Sequence, residues 1–221
     1  MLTVHHLNNS RSQRVLWLLE ELGVAYEIVR YQRQPDLHAP PELRAIHPLG
    51  KSPVITDNGN TIAESGAIAE YLTETYGDGR LIPLPKTPER LRYTYWLHYA
   101  EGSAMSPLLL KLLFTLMPKR APALLRPVVR KVANQALTAL VNPMLKQHMA
   151  YWESELGRSQ WFAGDEFTAA DIQMSFPLEA AAARAGLEVG HPKAMAFLER
   201  IHARPAYQRA LEKGGPYQVG R

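Results

Sequence analysis

No cysteine occurs among the 221 residues, so disulfides, cysteine-ligated metal centres and cysteine nucleophiles are excluded. Charge of one sign is scarce as an excess: 25 Lys and Arg against 21 Asp and Glu leave +4 with histidine neutral. That balance favours anionic small molecules and falls short of a nucleic-acid-binding profile. Long apolar runs are missing as well. The strongest, residues 108–117, is interrupted by Lys111 and is too short to span a bilayer. The opening MLTVHHLNNSR has no apolar signal segment, so the expectation is a soluble, cytoplasmic protein without membrane or nucleic-acid partners. The eight histidines show no H-E-x-x-H or comparable spacing. His5 and His6 alternate across a strand, and no metal site is expected. Residues 119–131 are basic, in the manner of a solvated helix face.

What is present is an ordinary globular composition, 46% apolar and 21% charged, long enough for one large domain or two small ones. The densest information lies in residues 47–68, HPLGKSPVITDNGNTIAESGAI. Two short β-type runs flank Asn58-Gly59, which supplies the two positive φ values of a type I′ hairpin turn. Pro53 opens the first run, and a proline at a strand start leaves neighbouring backbone groups free. After the second run, Glu64-Ser65-Gly66 precedes apolar residues at helical spacing. A helix starting near Ser65 presents free N–H groups, a ready site for a carboxylate.

Around this stretch the periodicity predicts a strand over residues 2–7 and a helix from Ser10 to Gly23. A strand at 26–31, a proline-rich loop to Pro41, a short helix at 42–46 and a helix at 65–76 follow. Residues 78–88, DGRLIPLPKTP, form a linker, after which β signals stop. Thr87-Pro88-Glu89 opens a helix expected to run to Met117 with a kink at Pro107. A second long helical region is expected over 122–156, bent or restarted at Pro127 and Pro143. Shorter helices are expected at about 191–203 and 205–213. Between them Phe167-Thr168-Ala169-Ala170-Asp171-Ile172 has the pattern of a capping box with a hydrophobic staple.

The Lys51-Ser52-Pro53 segment, the hairpin and the Glu64-Ser65 pair together resemble the glutathione site of the cytosolic glutathione S-transferases, and the likeness extends over essentially the whole chain. The family's capping box at its sixth helix and its late-chain RPAYQRAL-like pattern are matched too. The resemblance implies an α/β plus all-α protein: a thioredoxin-like glutathione-binding domain over 1–77, a linker over 78–88 and a helical-bundle domain over 89–221. It implies a cis peptide before Pro53, glutathione as co-substrate, a small apolar electrophile as acceptor, a homodimer and a role in detoxification.

The same resemblance implies roles for single residues. Ser52 pairs through its backbone with the cysteinyl part of glutathione, Glu64 and Ser65 hold the γ-glutamyl end, and His38 and Lys51 reach the glycine carboxylate. Ser10, four before Arg14, matches the serine-type members; no tyrosine occurs before Tyr26 to serve instead. A hydroxyl at a helix N-terminus favours thiolate over thiol. Read from the residues alone, Ser10-x-x-Gln13 is equally a capping box, and Asn9 or Ser12 can take the activating role. Tyr95, Trp96, Tyr99, Met105 and Phe114 are core residues by pattern and acceptor-pocket or dimer-cleft residues by resemblance. Besides conjugation, reduction of disulfides or peroxides by glutathione's own sulfur and a non-catalytic glutathione-binding module remain as alternatives.

Overall fold

The computed structural model describes residues 1–34 and 39–217. Its first half is β1 (Thr3–Leu7), α1 (Ser12–Leu22), β2 (Glu27–Tyr31), α2 (Pro41–Ile46), β3 (Val54–Asp57), β4 (Asn60–Ala63) and α3 (Ser65–Tyr76). The sheet order is β2-β1-β3-β4, with β1 parallel to β2 and the other pairs antiparallel. This is the thioredoxin-like arrangement. Local chemistry explains its joints. Gly23 closes α1 at φ 68°, where a side chain would be strained. Asn58 and Gly59 take φ 48° and 84°, so Asp57 pairs directly with Asn60 across a two-residue turn.

The second half is helical: α4 (Pro88–Tyr99), α5 (Met105–Arg120), α6 (Arg126–Ala136), α7 (Asn142–Arg158), α8 (Ala169–Arg184), α9 (Pro192–His202) and α10 (Pro205–Gly214). Thr87 caps α4 by accepting the Arg90 N–H at 3.2 Å. The expected kink at Pro107 is displaced. A π turn at Ala100–Ala104 joins α4 to α5, and Pro107 sits just after it. A second π turn, Leu137–Val141, immediately precedes Pro143. Proline removes one N–H and crowds the preceding turn, and a wider turn upstream relieves both. Pro127 bends nothing; it opens α6 in its first turn. The two long helical regions also run slightly beyond the expected ends, to Arg120 and Arg158.

One apolar core joins the halves. Helix α1 lies against the sheet, α3, α8 and α10, and almost every residue of it is buried. Trp17 on α1 is 1% exposed and meets Tyr207 of α10 edge-on and Phe167 before α8. Of the aromatic set on α4 and α5, Trp96 and Tyr99 pack on Tyr151 as core.

The capping box opens α8 as expected, with Ile172 buried and Phe167 packed on the same core. Asp171 is fully buried; its carboxylate accepts N–H groups of Phe162 and Thr168 at 2.8 Å each and the Thr168 hydroxyl at 3.1 Å. Asp171→Ala orphans these buried donors, at about 1–3 kcal/mol apiece. The expected loss is about 3 kcal/mol or more, a fall of roughly 6–12 °C in melting midpoint by circular dichroism. A shift under about 2 °C would contradict this role for Asp171.

Candidate functional site

A cavity of about 660 Å³ opens between the halves. One wall comes from the loop after β1, the Gly50–Pro53 turn and the start of α3. The other comes from Met105, Leu108, Leu109 and Leu112 of α5 and Phe176 and Arg184 of α8. Ser10, Asn9, Lys51, Ser52, Pro53, Glu64 and Ser65 all line it. His38 lies outside the described residues. From the expected aromatic and Met set only Met105 reaches the cavity; three leucines of α5 take the rest of that wall.

Ser10 sits just before α1, where the first N–H groups of the helix are unpaired. It does not form the expected capping box. Arg11 is the N-cap residue, the Ser10 Oγ accepts the Ser12 N–H at 3.2 Å, and the Gln13 side-chain amide has no hydrogen-bond partner. Instead Ser10 belongs to a hydroxyl cluster: its Oγ is 2.8 Å from Ser12 Oγ and 3.2 Å from Ser52 Oγ. Ser12 Oγ is also 2.8 Å from His6 Nδ1. Burial, reinforced by the Arg30 charge, pushes the His6 pKa down to about 4, so the ring is neutral near pH 7. The Gly214 backbone acts in the opposite direction and raises it. The neutral ring and the Ser12 hydroxyl share one hydrogen bond at Nδ1. Ser12 is thereby committed inward. Ser10 Oγ, bonded to both Ser12 and Ser52, lines the cavity, and its hydroxyl must turn from them to donate to a ligand there.

The peptide bond from Ser52 to Pro53 is cis. Ser52 stands beside Ser10, and Lys51 is exposed on the same rim. Across from them, Glu64 precedes α3 in an uncommon backbone conformation, φ 69° and ψ 123°. The first bond of the α3 ladder runs from the Ile68 N–H to the Glu64 carbonyl at 2.9 Å. The N–H groups of Ser65, Gly66 and Ala67 precede that ladder, and N–H groups at a helix start can receive an anion.

The Ser65 hydroxyl, expected to meet a ligand carboxylate, is turned inward. It accepts from Arg14 Nη2 at 3.1 Å and Gln173 Nε2 at 3.2 Å, and donates to Glu101 Oε1 at 3.3 Å. Three partners fill a hydroxyl's capacity, so a bound carboxylate is left to backbone N–H groups. Glu101, on the π turn, pairs with Arg14 and, at 3.3 Å, with Arg11. Arg11 and Arg14 both stand over the Phe176 ring, 5.6 and 5.5 Å from its centre. Sequence reasoning missed Glu101, Gln173 and Phe176. They lie far along the chain in a segment without periodic signal, and no spacing links them to Arg14.

Burial pushes the Glu101 pKa up, but Arg14 and Arg11 outweigh it and hold it below the ordinary 4.5. A depressed carboxylate contributes stability that is present above its unfolded pKa and lost as pH falls through the folded one. Glu101→Gln, which leaves a buried guanidinium uncompensated, should cost roughly 3 kcal/mol at neutral pH. In urea titrations the gap to wild type should hold down to about pH 5 and narrow below that. A gap independent of pH would contradict the ion pair.

The comparisons bear on the family and the fold. The family models "Glutathione S-transferase, N-terminal domain" and "Glutathione S-transferase, C-terminal domain" match residues 1–74 and 116–205. Glutathione S-transferase 3 of Schizosaccharomyces pombe is similar at 36% identity, over 96% of this chain and 88% of its own. Glutathione S-transferase 1 of Saccharomyces cerevisiae is 32% identical, over 96% and 95%. A crystal structure of a glutathione S-transferase from Actinobacillus pleuropneumoniae superposes with TM-score 0.78 at 32% identity, covering 97% of this chain and 93% of the other. With two domain models and full-length relatives in agreement, the chain belongs to the glutathione S-transferase family.

Proposed function

We propose that the protein binds glutathione as a thiolate and transfers it to small, largely apolar electrophiles. The observation that carries this is the hydroxyl cluster, in which His6 engages Ser12 and leaves Ser10 facing the cavity beside Ser52. In this reading the γ-glutamyl carboxylate takes the first N–H groups of α3, and Glu64 takes the ammonium. The Ser52 backbone pairs with the cysteinyl unit, while Lys51, with His38, meets the glycine carboxylate. The sulfur then lies by Ser10 and the N-terminal end of α1. A donated hydrogen bond and the positive helix end both favour the charged sulfur and lower its pKa. Asn9 is the neighbouring candidate for the same role.

The thiolate attacks the electrophile, a carbon–sulfur bond forms, and the leaving group departs with its electron pair. The apolar wall of α5 and α8 excludes water and holds the acceptor. We place the domain division at the 78–88 linker, with residues 1–77 holding glutathione and 89–221 the acceptor. Detoxification of such electrophiles in the cytoplasm is the role this chemistry suits.

Ser10→Ala should leave glutathione affinity nearly intact and raise the pKa of the bound thiol. Each unit of that rise removes roughly tenfold of the thiolate when pH lies below both values. Turnover near neutral pH should fall accordingly, and most of the defect should vanish at pH well above the thiol's solution pKa. Ultraviolet titration of the bound thiolate in wild type, Ser10→Ala, Ser12→Ala and Asn9→Ala checks it. A shift in Asn9→Ala without one in Ser10→Ala moves the role one residue back.

We also propose a homodimer built on α4 and α5. Leu91, Tyr95, Leu109 and Leu113 are 73%, 45%, 50% and 50% exposed there, a concentration of large apolar side chains that a partner would cover. Light scattering at low micromolar concentration should give twice the chain mass; a monomer alone contradicts it.

A further inference from the structure

The α5–α8 wall of the cavity carries one charge that the glutathione reading leaves unused. Arg184, in the last turn of α8, lines the cavity together with Leu108, Leu112 and Phe176. Its Nε is buried without a hydrogen-bond partner, and it has no ion-pair partner among the described residues. The cause of its lowered pKa is burial. A cation at a helix C-terminus gains modestly from the dipole, which accounts for a basic residue at this end of α8. It does not account for a half-buried arginine on a largely apolar wall with its Nε closed off from water. Of the other cations lining the cavity, Arg11 pairs with Glu101, while Arg33, Arg44 and Lys51 belong to the opposite wall, on the sheet half.

We propose that Arg184 is a carboxylate-recognition site in the acceptor pocket, so that preferred acceptors join an apolar reacting body to a carboxylate. The proposal rests on the thiolate-transfer reading above. A guanidinium bonds a carboxylate through two parallel N–H donors, and apolar neighbours that exclude water strengthen that pairing. The same chemistry has two sources. In an aromatic acid chloride-substituted on its ring, the thiolate attacks ring carbon, a carbon–sulfur bond forms and chloride leaves with the bonding pair. In an acidic disulfide, the thiolate attacks one sulfur, a new sulfur–sulfur bond forms and the departing thiolate carries the pair.

The experiment uses the full chain with two matched pairs of acceptors. One pair is a chlorodinitrobenzoate and its methyl ester; the other is bis(carboxyethyl) disulfide and bis(hydroxyethyl) disulfide. Each kcat/KM is divided by the uncatalysed rate with glutathione, which removes intrinsic reactivity. The carboxylate member should be preferred in at least one pair, and which pair shows it identifies the source. Arg184→Gln should lower that rate about 10- to 100-fold. The neutral member should change by less than about twofold, with an unchanged KM for glutathione. Arg184→Lys should recover part of the loss. Charged and neutral members falling together, or neither responding, overturns the site while transfer itself stands. No turnover of any of the four overturns thiolate transfer along with it, and calorimetry with glutathione alone then shows whether binding survives.

Discussion

A buried guanidinium has to be paired, and Arg14 is 3% exposed. Its partners come from three places remote in sequence: the Ser65 hydroxyl on α3, the Glu101 carboxylate on the π turn after α4, and the Gln173 carbonyl on α8. Pairing its two terminal nitrogens, the Nε having no partner, therefore ties α1 and α3 of the sheet half to the π turn and α8 of the other half. It also fixes both helix N-termini against the same cavity. An uncompensated charge here costs several kcal/mol, so the elements are held in register by a penalty more than by a net gain. The Ser65 hydroxyl is spent on that task, with Arg14, Gln173 and Glu101 as its partners.

The opposite end of α1 is clamped by the same kind of chemistry in a wetter setting. Glu20 takes Arg209 and Lys213, and Glu21 takes Arg204 through two nitrogens, all from α10 or the residue before it. These pairs are partly exposed and individually weak. Their consequence is positional: they bring the end of α10 to His6, whose pKa the Gly214 backbone raises. A Cβ at Gly214 would lie 2.4 Å from the Gln13 side chain, so glycine permits this approach. The surroundings of His6 are thus set by both ends of the chain.

Features written within a few residues were legible in the sequence. Asn58-Gly59 dictates its turn, Thr168 to Asp171 its cap, and Gly23 its helix end, because each needs only local backbone geometry. Glu101 was not legible: it lies 87 residues from Arg14, in a segment whose local pattern gives no reason for an acid. The sequence placed irregularities on Pro107 and Pro143, whereas the π turns lie just upstream, because the relief of a proline appears before the ring that causes it. Ser10-x-x-Gln13 has the spacing of a capping box, yet the hydroxyl cluster with Ser12 and Ser52 prevailed, a tertiary contact that local spacing does not reveal.

On the proposed reading, the α3 N-terminus, braced by Arg14 and Glu101, grips the γ-glutamyl end of glutathione while the sulfur lies by Ser10. Calorimetric titration with glutathione and with cysteinylglycine, which lacks the γ-glutamyl unit, tests it most directly. Losing both the carboxylate and ammonium contacts should weaken binding by about 100-fold or more. Equal affinity for the two peptides would contradict the claim.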